Sequence, residues 1–173
     1  MKRVNSIPFS YIFAIKYDTM IQRIQTIYFL IAALLVGSLF FVPFAEIINA
    51  KGEIYRFDAS GFYLQGSQSH EAIIGGLPVV FLCIISALFI LVTIFQFNKR
   101  PRQITFSKLN IFILLVLCGL VYYNVWRSIN LITGNHSLKI YLAFPLIAIV
   151  LIYLAIKAIR KDQELLKSID RIR

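Results

Sequence analysis

Residues 72–98 read AIIGGLPVVFLCIISALFILVTIFQFN, and no charged residue interrupts them. Three more uncharged runs lie at 24–45, 109–126 and 140–156. A hydrocarbon core of about 30 Å takes about 20 helical residues to cross, and each run is near that length. The expected fold class is an all-α membrane protein, a four-transmembrane-helix bundle. Its spans fall at about 24–45, 77–97, 107–126 and 140–159. At 59% hydrophobic the chain is too apolar for an ordinary soluble domain. Residues 20–173 read as one membrane domain with no separate soluble domain.

The net charge of +10 sorts by segment. Fourteen of the eighteen basic residues lie in the two tails and the loop between spans two and three. Four lie in the other two loops: Lys51, Arg56, Arg127 and Lys139. The positive-inside rule then predicts cytoplasmic termini, with loops one and three facing outward. Lys99, Arg100, Arg102, Lys157, Arg160 and Lys161 are the expected contacts to lipid headgroups. Topology and anionic lipid account for the basic excess. A nucleic-acid partner is not expected, because no basic platform interleaved with aromatic residues occurs.

The runs contain no Asp, Glu, Lys, Arg or His, and they hold the two cysteines, Cys83 and Cys118. These read as small buried hydrophobes, and nothing requires a disulfide between them. The two histidines, His70 and His136, both fall in loops. Haem or metal held within a bundle needs ligands inside the spans. No P-loop, dinucleotide fingerprint or Ser-His-Asp set is present. No catalytic, cofactor-binding or metal-binding residue is assigned, no cofactor is expected, and the chain does not read as an enzyme. Function is expected at the two ends of the spans.

Between spans one and two, Glu46-Ile-Ile-Asn, Ala-Lys-Gly and Glu53-Ile-Tyr-Arg-Phe-Asp predict a small extracytoplasmic β-hairpin around a glycine turn. Residues 58–63 read as a turn that follows it. Three of the five prolines, Pro43, Pro78 and Pro145, lie at outer ends of spans, with Asn124 at similar depth. Pro145, several residues inside span four, predicts a kink there. Any cavity is expected to open outward in this region.

Residues 157–173 contain no proline or glycine and are rich in helix formers. Span four is expected to continue as a cytoplasmic helix. Leu165, Leu166, Ile169 and Ile172 share one face of it and form the candidate partner-binding stripe. The membrane surface, the second loop or another protein could bury that stripe. Arg23, at the start of span one, could pair with Asp162 or Glu164.

Residues 1–19 mix Lys2 and Arg3 with an apolar stretch too short to span. Translation starting at Met20 and a short interfacial segment are the two readings.

From Met20 the chain resembles a known family. Met20-Ile-Gln-Arg-Ile-Gln-Thr-Ile-Tyr28 is similar to the opening of an uncharacterised family of four-span inner-membrane proteins of Bacteroidota, a domain of unknown function. Arg160-Lys161-Asp162-Gln163-Glu164-Leu165-Leu166-Lys167-Ser168, followed by Asp170-Arg171-Ile172-Arg173, is similar to its C-terminal signature. The resemblance covers 20–173 and implies a bacterial inner-membrane location; it implies no activity.

Two functional classes remain. The first is a non-enzymatic accessory or assembly subunit of a membrane complex. It would bind a membrane-protein partner through the C-terminal helix or the outer hairpin. The alternative is a small-molecule or lipid-binding transport protein with an outward-facing cavity.

Overall fold

The computed structural model describes the backbone at 9–49, 51–66, 72–96, 99–132 and 134–171, and side chains at 24–49, 51–66, 72–96, 99–132 and 137–165. Helix α1 (Phe9–Ser38) leads into strands β1 (Ala45–Asn49), β2 (Ile54–Asp58), β3 (Gly61–Leu64) and β4 (Ile74–Gly75). Helices α2 (Leu77–Phe95) and α3 (Arg100–Leu131) follow. Strand β5 (Gly134–Leu138), a 3-10 turn (Ile140–Ala143) and α4 (Phe144–Arg171) complete the chain.

Three of the described helical stretches are long and apolar enough to cross a membrane: Leu77–Phe95, Arg100–Leu131 and Ile140–Leu165. The described apolar part of α1, Ile24–Ser38, is shorter. Large apolar side chains such as Leu34, Phe81, Leu88, Phe112, Val150 and Tyr153 face outward. A soluble monomer rarely exposes so continuous an apolar surface, whereas lipid solvates it.

The helix interiors share one pattern. Buried residues recur at alternating steps of four and three on every helix: Gln25, Phe29, Ala32 and Val36 on α1, with Leu39 just past its end, and Val79, Cys83, Ser86, Ile90 and Thr93 on α2. On α3 they are Gln103, Ser107, Asn110, Leu114, Leu117, Val121, Asn124 and Ser128. On α4 they are Ala148, Ile152, Ala155, Ile159 and Asp162. This is a seven-residue repeat, which packs helices at shallow crossing angles. Helix α1 packs on α2 and α4, and α3 packs on the same two.

Several boundaries differ from the sequence expectation. Helix α3 begins at Arg100 rather than near 107 and runs to Leu131. Pro101 lies in its first turn, where its missing N–H breaks no hydrogen bond. The basic run therefore starts the helix instead of preceding it. Pro145 likewise falls in the first turn of α4, after the 3-10 turn, so it does not kink a helix interior. Helix α1 stops at Ser38, whose Oγ bonds Leu35 O at 2.7 Å, and turns tighten the chain through Phe41. The expected helical continuation of α4 is present to Arg171.

The predicted hairpin, β1 with β2, is present inside a larger five-stranded antiparallel sheet of order β4-β3-β2-β1-β5. Phe62 and Tyr63, expected in a turn, are in β3, and the turn itself is Asp58–Gly61. Strand β5 comes from the loop between α3 and α4 and pairs Ile47 with His136 on β1. Ala45, Ile47, Phe57 and Phe62 are buried, and the rings of Phe44 and Phe57 lie 5.5 Å apart. The sheet thus carries an apolar core continuous with that of the helices.

Candidate functional site

The molecule has two unlike ends: the sheet, and a basic end where α2 meets α3 and α4 emerges.

At the sheet end Asp58 organises the β2–β3 turn. Its Oδ1 accepts from the N–H and hydroxyl of Ser60 at 2.9 and 2.5 Å, and its Oδ2 accepts from Tyr63 at 2.5 Å. Burial first, then this hydrogen bond and the Asp58 charge, push the Tyr63 phenol from 10.0 up to about 12. A folded value above the unfolded one means that the contribution is complete below pH 10.0 and lost as pH rises through about 12. Asp58→Asn should move the Tyr63 ionisation down toward 10.0 in an ultraviolet phenolate titration. An unshifted titration would show that Asp58 does not hold the phenol. Glu46 and Lys139 form an ion pair at 2.7 Å, linking β1 to the end of β5. Half-exposed pairs of this kind contribute at most about 1 kcal/mol.

At the basic end Arg100 Nη1 lies 2.8 Å from Asp162 Oδ2, their side chains 19% and 5% exposed. This pair joins the first turn of α3 to α4. Arg100, expected to face headgroups, is thus turned inward toward Asp162. Arg23, expected to pair with Asp162 or Glu164, has its side chain outside the described residues. Lys99, Arg102, Lys157, Arg160 and Lys161 are exposed around the pair. A groove of about 400 Å³ lined by Gln96, Pro101, Arg102, Thr105 and Phe106 opens beside them. Leu165 is 47% exposed just beyond the pair. The side chains of Leu166, Ile169 and Ile172 lie outside the described residues.

The interior of the basic half is lined by buried polar residues that carry no charge. Gln103 Nε2 donates to Thr93 O across α2 and α3 at 3.3 Å. Thr93 and Ser107 return their hydroxyls to the carbonyls of Phe89 and Gln103. Ser86, Asn110 and Gln25 are also buried. The signal for these residues was seam spacing: each polar position continues a four-three rhythm set by apolar neighbours. The sheet-end half of the seam is mostly apolar, through Cys83, Leu114, Leu117 and Val121, with Asn124 and Ser128 at its end. The side chain of His136 and all of His70 lie outside the described residues.

A family model described as a domain of unknown function, DUF4293, matches residues 21–172. The chain belongs to this family. Neither a curated protein nor a solved structure matches it. The DUF4293 match takes in all but the first residue of Met20–Tyr28 and all but the last residue of the C-terminal signature, the two segments on which the sequence resemblance rests. In this DUF4293 chain the Arg100–Asp162 pair ties that C-terminal segment to the α2–α3 corner. Of the three prolines expected at outer ends of spans, Pro145 lines a groove of about 350 Å³ with Cys118, Tyr122, Leu142 and Leu146.

Proposed function

We propose that this DUF4293 protein is a four-span protein of the bacterial inner membrane with both termini in the cytoplasm. In this reading it is a non-enzymatic accessory subunit that engages a membrane-protein partner through the basic-end segment of α4. One observation carries the reading: α4 is anchored at Asp162 and then continues to Arg171. At 1.5 Å per residue that continuation is about 14 Å long. Leu165, exposed on it, begins the apolar stripe read from the sequence. Three helices of spanning length support the membrane assignment, and α1 is the fourth span in this account. The sheet end is then extracytoplasmic, and the basic residues meet anionic headgroups.

Deleting residues 164–173 tests the proposal, since it leaves the Arg100–Asp162 pair in place. Pull-down from native membranes in mild detergent should recover a membrane protein with the full chain and lose it with the truncated one. The truncated chain should still insert. Equal recovery by both chains, or a full-length chain that purifies alone, would count against it. The lipid-handling alternative has one observation in its favour, the apolar groove beside Pro145. Co-purified lipid that is lost on Leu142→Trp would support that alternative.

A further inference from the structure

Ser86 and Asn110 are enclosed at 0% and 1% exposure on the seams of α2 and α3. Ser86 Oγ and both polar atoms of the Asn110 amide have no hydrogen-bond partner among the described residues. Thr93 and Ser107 on the same seams use the carbonyls of their own helices, so the Ser86 hydroxyl, which does not, stands apart.

Two contacts set the register of the antiparallel pair. Gln103 meets Thr93 O at 3.3 Å, and the rings of Phe89 and Phe106 are 6.0 Å apart. Continuing by four and three residues places Ile90 level with Ser107, Ser86 with Asn110, Cys83 with Leu114 and Val79 with Leu117. Ser86 and Asn110 therefore share a layer. Apolar residues close that layer on the sheet side, and Ile90 lies on the other.

Leaving these groups without partners would cost their full desolvation. The layer offers a donor in Asn110 Nδ2, an acceptor in Asn110 Oδ1, and a Ser86 hydroxyl that does either. Both residues are uncharged, so the occupant they suit is small, neutral and able to donate and accept at once. A buried water typically makes about three hydrogen bonds to such groups.

We propose that Ser86 and Asn110 form a water-binding site inside the helical core. Water accepts from Asn110 Nδ2–H and donates to Ser86 Oγ, bridging α2 to α3. The layer also sets register: sliding α3 by one heptad would put Asn110 against apolar Val79 or Ser86 against Leu117.

The test uses the full chain in lipid nanodiscs with ¹⁵N-labelled asparagine. The Asn110 side-chain amide is assigned through its own backbone. A water-selective spectrum should show a cross-peak from long-lived water to the Asn110 amide protons, and Ser86→Ala should weaken it several-fold. A wild-type amide with no water cross-peak, or one in direct contact with the Ser86 hydroxyl, would overturn the proposal. A cross-peak unchanged in Ser86→Ala would remove Ser86 from the site. The wild-type measurement decides the main point even if the variant does not fold.

Discussion

Asp162→Leu should destabilise the folded protein by about 3 kcal/mol, the low end of what removing one partner of a buried ion pair costs. The carboxylate is 5% exposed and faces Arg100, itself only 19% exposed. Without Asp162 the guanidinium stays largely out of water and loses the carboxylate that faces it. The loss should appear as earlier unfolding in denaturant titrations in micelles. The double variant Arg100→Leu/Asp162→Leu should recover most of it, because two apolar side chains leave no charge to solvate. A loss below about 1 kcal/mol for Asp162→Leu would show that the pair behaves as a surface contact. The pair lies where α4 leaves the helical core, so the single variant should also free the tail and weaken partner capture.

Gly76→Ala should be at least as damaging. A Cβ on Gly76 would run into Ala59 O and Ser60 C and lie 2.6 Å from Gly61 N. These are backbone atoms and cannot rotate away. Gly76 also donates its N–H to Ser60 O at 3.0 Å and begins α2. Gly61 mirrors it, with φ +145° and Ile74 O only 2.5 Å from where a Cβ would be. These two glycines join the β2–β3 turn to the start of α2. Either alanine forces the sheet away from the helices, a loss of about 3 kcal/mol or more by overpacking. Gly52→Ala is the control. Its φ is +80° but nothing lies within 4 Å, so the loss should be about 1 kcal/mol. Equal stability of all three variants would contradict the close approach.

Much of the helical architecture is legible in the sequence because charge is excluded from lipid. Lys99, Arg100 and Arg102 mark a corner, and the apolar runs around them set helix lengths. The boundary at Arg100 was missed because Pro101 suits a first helical turn as well as a loop. Strand β5 was missed for a different reason. Gly134-Asn-His-Ser-Leu138 has weak β character, and it is ordered by the open edge of β1, a partner about ninety residues earlier. The polar seam was missed because hydropathy averages it away. Gln103, Ser107 and Asn110 lie in a helix with apolar flanks, and only their spacing shows that they face inward. The Arg100–Asp162 pair joins residues far apart in the chain, and no local pattern distinguishes Arg100 from Lys99 or Arg102 as the partner.

The central claim is that four helices cross the membrane and hold the sheet and the basic end on opposite sides. Cysteine labelling of intact cells with a membrane-impermeant maleimide tests it most directly. In a Cys83→Ala/Cys118→Ala background, Lys51→Cys reports the sheet, Arg23→Cys the start of the first span, and Lys161→Cys the basic end of α4. The account predicts labelling at position 51 from outside, and labelling at 23 and 161 only after lysis. Labelling at 23 together with 51 would show that α1 does not cross, and labelling at 161 from outside would contradict the topology altogether.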